Sequence, residues 1–335
     1  MAKIHVAING FGRIGRNTLK AAYDHFKMKN IELVAVNDLM DTESLAQLLK
    51  YDSVYGKWGH KISYDKKHLI IDGKKILAFQ EREPANLPWK KLKVDVVLEC
   101  TGFFTKTELA SLHLKAGAKK VIVSAPVKDG APTFLLGVNA KKYKNEKVIN
   151  MGSCTTNCVA PASQIIENAF GVKKALMTTV HAVTAAQNLV DGAPKSSKKD
   201  YRRARSALVN IVPTTTGAAV ATTEAIPKLK GIFDGLAVRV PVSTGSLSDF
   251  TFLLKKKTTV EKVKKVFKKA AKTSHKGIIE ASEDPLVSTD IIGNPHSSIV
   301  DLGMIKVVDG DLLKIMAWYD NEWGYSCRLI EFAEI

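Results

Sequence analysis

Two cysteines stand four residues apart in Met151-Gly152-Ser153-Cys154-Thr155-Thr156-Asn157-Cys158, among small hydroxyl and amide side chains. A zinc site needs about four Cys, His or acid ligands, and the other two cysteines, Cys100 and Cys327, offer no paired spacing. A disulfide inside a helical segment of a cytoplasmic chain is disfavoured. Packing as a small buried residue is the ordinary fate of cysteine, and that reading suits Cys100, Cys158 and Cys327. Cys154 differs in setting. It follows a predicted strand, Lys147–Asn150, and a turn at Gly152, and it begins a predicted helix that tolerates Pro161 only in its early part. Unpaired N–H groups at a helix start favour a thiolate. With Ser153, Thr155 and Thr156 they could also hold an oxyanion or a phosphate.

A nucleophile needs a base. Of the eight histidines, His181 ends the predicted strand Ala175–His181 and is followed by polar Thr184 and Gln187. His5 falls inside the first strand, and His25 and His113 in predicted helices. The best pairing is Cys154 with His181. Beside a nicotinamide cofactor such a pair suggests aldehyde oxidation: the thiolate adds to the carbonyl carbon, and the base takes the hydroxyl proton as hydride leaves. A thioester then awaits water or another nucleophile.

A nicotinamide cofactor has its own signature. Gly10-Phe11-Gly12-Arg13-Ile14-Gly15 is G-x-G-x-x-G between a predicted strand and helix. The first glycine allows a sharp turn, the second lets backbone approach a pyrophosphate, and the third lets helix and strand pack closely. Helix N–H groups then hold the phosphates, and Arg13 and Arg16 would favour the anion further. Asp38 ends the second strand 23 residues after Gly15. A carboxylate there accepts from both ribose hydroxyls and repels a 2′-phosphate, so it selects NAD over NADP.

The elements that must position these groups are legible in outline. Short apolar runs at Lys3–Asn9, Ile31–Asn37, Val94–Glu99 and Lys120–Ser124 alternate with helices at Arg13–Lys27 and Thr107–Ala116. That alternation predicts an α/β, Rossmann-type doubly wound parallel sheet. Further on, strands at Ala175–His181, Gly235–Val240, Ser248–Leu254 and Ser298–Asp301 predict an α+β catalytic domain with a mostly antiparallel or mixed sheet. Trp323–Ile335 reads as a helix. The expected domains are 1–152 for the dinucleotide, 153–317 for catalysis and oligomerisation, and 318–335 as a helix rejoining the first.

At 335 residues and 45% hydrophobic, the chain can fill two cores. No apolar run reaches the ~18 residues of a membrane span, and the start of the sequence has no secretory pattern, so a cytoplasmic location is expected. The net charge of +17 is concentrated in Lys255–Lys276, where Val260, Val263, Val266, Phe267, Ala270 and Ala271 fall at helical spacing. That pattern predicts a half-buried helix with a solvated lysine face. Nucleic-acid binding is at most a secondary, electrostatic property, because no RNP pattern, helix-turn-helix or zinc finger accompanies the charge.

The motifs INGFGRIGR (8–16), ND (37–38), ECTG (99–102), SCTTN (153–157), HAVTAAQ (181–187), RRAR (202–205), PTTTGAA (213–219), AVRVP (237–241) and WYDNEWGYS (318–326) occur in one order along the chain. In them the sequence resembles the phosphorylating glyceraldehyde-3-phosphate dehydrogenases over essentially its whole length. The resemblance implies NAD as cofactor, D-glyceraldehyde 3-phosphate and inorganic phosphate as partners, and a homotetramer. It makes Cys154 the nucleophile and His181 its base. It implies that Arg239 and Thr184 hold the substrate phosphate, and that Ser153, Thr155, Thr216 and Gly217 receive the attacking phosphate. Cofactor contacts are implied at Gly10, Gly12, Arg13, Ile14, Gly15, Asp38, Arg82, Thr101, Ser124, Asn321 and Tyr325.

Two departures stand out. Gly152 replaces an alanine often found before the Ser-Cys-Thr-Thr-Asn motif. Asn188–Tyr201 is longer than in many bacterial relatives and carries Lys195, Lys198 and Lys199, which could welcome a 2′-phosphate where Asp38 opposes one. A relative acting on erythrose 4-phosphate, its thioester passing to water, is the nearest alternative. Thr216 and Gly217 favour the triose phosphate.

Overall fold

A computed structural model describes residues 3–127, 129–195 and 199–335. The chain forms two compact units. The first comprises the chain up to Phe134 together with Lys142–Gly152 and Tyr325–Ile335, and the second comprises Leu135–Lys141 and Ser153–Gly324.

An eight-stranded sheet organises the first unit. Across it lie Val148–Asn150, Lys120–Val123, Val96–Glu99, Ile4–Asn9, Ile31–Asn37, Lys74–Phe79, His68–Ile71 and Ile62–Asp65. The first six run parallel, and the last two add an antiparallel edge that the sequence reading missed. The central strands are apolar on both faces because both faces are covered; Val6, Ala7, Ile8, Val97 and Leu98 are fully buried. The first helix, Arg13–Asp24, stops short of the expected Lys27. The helix expected over Thr107–Ala116 is two pieces, Thr107–Ala110 and Leu112–Lys115, joined at Ser111. The last helix, Trp323–Ala333, is held in this unit by stacking of Phe332 on Phe134, ring centroids 6.2 Å apart.

In the second unit, seven strands lie in the order Val212–Thr215, Phe233–Arg239, Val172–His181, Ser246–Leu254, Leu312–Tyr319, Ser298–Val308 and Ile279–Ser282. Pairings are antiparallel except Val172–His181 with Phe233–Arg239 and Ile279–Ser282 with Ser298–Val308. Ser246–Leu254 alternates buried and half-buried side chains along its length, the period of a sheet with one face on a core. That core includes Phe250, Phe252, Leu313 and Ile315 with residues of the helices Cys154–Phe170 and Val260–Lys272. In the latter helix Val263, Phe267 and Ala270 are buried.

Two expected boundaries need correction. Leu135 is fully buried in the core of the second unit, which draws 135–141 out of the first. Trp318-Tyr319 ends a central strand rather than opening the last helix, so the chain re-enters the first unit only at Tyr325. Among the described residues, no helix is long and apolar enough to cross a membrane.

Candidate active site

The first unit builds its glycine loop for close approach. Gly10 has φ +90°, and a Cβ there would lie 2.6 Å from the Thr101 nitrogen; one on Gly15 would lie 2.1 Å from the Gly10 oxygen. Both positions therefore exclude a side chain. Gly12 is the opposite case: a Cβ would meet nothing within 4 Å, and no side chain caps the helix that follows. The loop thus presents open space before an uncapped helix start, which fits a pyrophosphate.

Asp38 closes the loop, its Oδ2 accepting from the Phe11 N–H at 2.7 Å. A cavity of about 380 Å³ runs over this floor, lined by Gly10, Gly12, Asp38, Arg82, Thr101 and Phe103 among others, within the ~300–1,000 Å³ of small-molecule sites. The side chains of Arg13 and Arg16 have protein partners of their own. The Arg13 guanidinium donates to Asp52 at 2.6 Å, and buried Arg16 donates through Nη1 to the Phe11 carbonyl at 2.8 Å. Each has a structural commitment; at Arg13 the backbone N–H at the helix start is what suits an anion. Ser124 sits at the end of its strand, its N–H donating to the Glu99 carbonyl at 2.9 Å. Tyr325 is buried, its hydroxyl donating to the Gly152 carbonyl at 2.9 Å.

The second unit brings Cys154 and His181 together. Ser153 caps the helix Cys154–Phe170, its hydroxyl accepting from the Thr156 N–H, and the Thr156 hydroxyl accepts in return from the Ser153 N–H at 3.1 Å. This capping box fixes the first turn that carries Cys154. Pro161 lies in the middle of this helix, not near its start; the helix continues to Phe170 and stops at Gly171, φ +67°. The Cys154 Sγ lies 3.4 Å from His181 Nε2.

His181 reaches that place through sheet register. It pairs directly with Arg239 on the neighbouring parallel strand. Ala182 O lies 2.7 Å from His181 Nδ1 and accepts from Arg239 Nη1 at 2.9 Å; the same Nη1 is 2.6 Å from Nδ1. Nδ1 cannot donate to the carbonyl and accept from arginine at once. We assign Nδ1–H to the carbonyl, whose two lone pairs serve both donors. That tautomer leaves Nε2 as the acceptor facing the thiol.

Burial works against charge on both members of the pair. Burial, reinforced by Arg239, pushes the imidazole down to about 3. Burial also raises the thiol, against the pull of Arg239 and of the Thr155 N–H and hydroxyl. Cys154 is half-buried by surface exposure, so desolvation and the helix field act on its thiol in opposite directions. The other cysteines behave as packing residues, and Cys158 is fully buried with its thiol pushed up to about 12 by burial.

The remaining residues surround this pair unevenly. Arg239 keeps a buried Nε that has no hydrogen-bond partner, an orphan donor of the kind an anion satisfies. Thr184 donates its N–H to Gln187 Oε1 at 3.4 Å. Gly217 opens the helix Ala218–Ala225 with no side-chain cap and clear space at its Cβ, while the Thr216 hydroxyl accepts from the Ala218 N–H. The Thr155 hydroxyl is less available than expected, because it bonds buried Tyr319 at 2.9 Å. Tyr319 belongs to the motif at 318–326, where the sequence alone assigned it no role. Its hydroxyl joins Thr155 to Thr179 and its ring meets His181 edge-on at 6.0 Å, so it braces both halves of the pair. Arg203, in the RRAR motif but given no role there, bonds Thr214, the Thr215 carbonyl and Asp200.

Asn321 belongs to the second unit, where its Oδ1 accepts from Ser246 and Thr244. Lys195 donates to the Ala185 and Gln187 carbonyls, at 3.1 and 2.7 Å, which ties the long loop to the segment after His181. Lys199 is exposed, and Lys198 lies outside the described residues.

A dinucleotide-type unit and a unit bearing a thiol against a neutral imidazole define a nicotinamide-dependent, cysteine-using dehydrogenase. Residues 4–107 match the family model described as glyceraldehyde 3-phosphate dehydrogenase, NAD binding domain, and residues 153–321 match its C-terminal domain. The chain is 50% identical over 337 residues to the glyceraldehyde-3-phosphate dehydrogenase of Mycobacterium avium, covering 99% of this chain and 98% of that one. It is 48% identical over 330 residues to glyceraldehyde-3-phosphate dehydrogenase 2 of Streptomyces avermitilis, covering 98% and 97%. Against enzyme 3 of Saccharomyces cerevisiae identity is 45% over 333 residues, covering 99% and 98%. The protein belongs to the glyceraldehyde-3-phosphate dehydrogenase family, with NAD as its cofactor.

Proposed function

We propose that this chain oxidises D-glyceraldehyde 3-phosphate to 1,3-bisphosphoglycerate with NAD and inorganic phosphate. The observation that carries the chemistry is the 3.4 Å approach of the Cys154 thiol to the unprotonated Nε2 of His181. His181 takes the thiol proton as sulfur attacks the aldehyde carbon, so the ion pair forms only as the C–S bond does. The carbonyl electron pair moves onto oxygen, where N–H groups of the capped helix start stabilise it. NAD supplies the hydride acceptor. His181 returns the thiol proton to that oxygen, giving the thiohemiacetal hydroxyl and a neutral base again. It removes the hydroxyl proton as hydride leaves and the carbon reaches thioester level. Phosphate then displaces the thiolate, which takes its proton back from His181.

Arg239, with its orphan Nε, and Thr184 suit the substrate's own phosphate. Ser153, Thr155, Thr216 and Gly217 suit the attacking one, Thr155 through its backbone. Gly10, Gly12, Arg13, Ile14, Gly15, Asp38, Arg82, Thr101, Ser124, Asn321 and Tyr325 serve the dinucleotide. Asn321 Oδ1 is engaged by two hydroxyls, so its N–H₂ is the end turned to use.

Self-association into a tetramer fits the exposed apolar side chains of the second unit. Leu176, Leu236 and Leu312 project from its sheet, and Val209 and Ile211 precede the strand Val212–Thr215. A cytoplasmic location accords with four free cysteines. Absorbance of reduced cofactor, with NAD or NADP and phosphate present or omitted, tests the reading. Fast phosphate-dependent reduction of NAD supports it; equal turnover without phosphate points to a hydrolytic relative.

A further inference from the structure

Beneath the dinucleotide cavity lies a run of buried polar side chains that the chemistry above does not use. Glu99 ends the strand Val96–Glu99 and is 1% exposed. Its Oε1 accepts from the N–H of Thr101, at 2.8 Å, and from the Thr101 hydroxyl. Its Oε2 accepts from Asn9 Nδ2 at 2.5 Å and faces His113 Nε2 at 3.1 Å.

The donor directions can be worked out one by one. Trp89 Nε1, which can only donate, bonds His113 Nδ1 at 2.9 Å. Nδ1 is therefore an acceptor, and the ring proton sits on Nε2, directed at Glu99. The Thr101 hydroxyl accepts from the Phe103 N–H at 3.0 Å, so its own proton goes to Glu99. Every contact of the carboxylate is then a donor to it, and none is a cation. Glu99 is a buried, acceptor-only anion held by four neutral donors.

From Asn9 the run continues. Asn9 Oδ1 accepts from Asn37 Nδ2 at 2.7 Å. Asn37 also clasps the Glu81 backbone, donating to its carbonyl at 2.8 Å and accepting from its N–H at 2.9 Å. Four members stand one or two residues before a group assigned to the dinucleotide: Asn9 before Gly10, Asn37 before Asp38, Glu81 before Arg82, and Glu99 before Thr101. One chain of side-chain bonds thus sets the ends of three neighbouring strands and the loop after a fourth.

We infer that Glu99 is a positioning residue for the dinucleotide, acting with His113 through the chain Trp89–His113–Glu99–Asn9–Asn37–Glu81 that fixes Thr101, Gly10, Asp38 and Arg82 in register. A carboxylate is required because only an acceptor-only group takes four donors. Glutamine would turn an N–H₂ on two of them, and buried donors facing donors must move apart. Its neighbour Cys100 lines the cavity, and burial first, then the charge of Glu99, pushes that thiol up to about 12.

The inference rests on NAD binding to the first unit, so the test begins with the dissociation constant of NAD for the wild-type protein, measured by quenching of intrinsic fluorescence. Failure of the wild type to bind removes that reading and the inference with it. Glu99→Gln is expected to weaken binding roughly tenfold or more, the scale of one lost charge-assisted bond. KM for NAD should rise in step, more than kcat falls. His113→Gln keeps an acceptor for Trp89 and a donor for Glu99, so it should retain affinity that His113→Leu loses. This second pair decides the matter if Glu99→Gln does not fold. A folded Glu99→Gln with unchanged affinity, or two His113 variants that melt lower but bind NAD equally, would reduce the chain to a stability element and overturn the inference.

Discussion

The floor of the dinucleotide cavity and the surroundings of Cys154 solve opposite problems. Under the cavity the carboxylate and the amides are matched: Glu99 takes four donors, and Asn9 and Asn37 use both ends of their amides. Around Cys154 the matching is deliberately incomplete. Arg239 retains an unpartnered Nε, a neutral imidazole faces a neutral thiol, and Arg239 crowds the Nδ1 side of that imidazole. A site that only binds can be fixed in advance. A site that moves protons and receives phosphates must leave groups that substrate completes.

Substitutions can break this comparison at its strongest point first. Cys154→Ser should lower the oxidation rate on the order of 10⁴-fold, read as initial NADH formation, with NAD affinity unchanged. His181→Asn should lower kcat about 10²–10⁴-fold, the range of a lost general base, and leave the KM for NAD where it was. If either change weakened NAD binding as much as turnover, the two regions would not be separable in the way described.

Two glycines sharpen the account of the first unit. Gly15→Ala drives a Cβ against the Gly10 carbonyl, so thermal or urea unfolding should show a loss of roughly 3 kcal/mol. Gly12→Ala meets open space; stability should hold while KM for NAD rises about tenfold, the equivalent of one lost contact. Equal destabilisation by both would mean the loop is not shaped around a ligand.

A separate handle is the pH dependence of stability. His181 titrates at about 3 in the folded protein and near 6.5 when unfolded. Between these values the unfolded state binds the extra proton, so stability rises with pH across the window. The contribution of a neutral His181 is full above about 6.5 and is lost as pH falls toward 3. Urea titrations of wild type and His181→Gln should therefore converge at acid pH, the variant showing the shallower slope.

Much of this was legible where backbone geometry or a local signal dictates residue type. The glycines at 10, 12 and 15 and the acid at 38 follow from how a chain must turn beneath a phosphate, and Cys154 follows from the helix start. What could not be read was non-local. The register that sets His181 beside Arg239 joins strands 58 residues apart, and nothing in either strand alone specifies it. The Glu99 chain was hidden for the same reason, although a signal existed: Asn9, Asn37 and Glu99 each end an apolar strand with a polar side chain. The electrostatic balance at Cys154 was not legible either, because the helix start is visible in sequence and its partial burial is not.

Mass analysis of the intact protein after mixing with D-glyceraldehyde 3-phosphate and NAD, phosphate withheld, tests the central claim most directly. The Cys154–His181 account predicts about one acyl group per chain, located on Cys154, formed with one equivalent of NADH and discharged when phosphate is added. NADH formation with no acyl adduct, or an adduct that persists in Cys154→Ser, would contradict it.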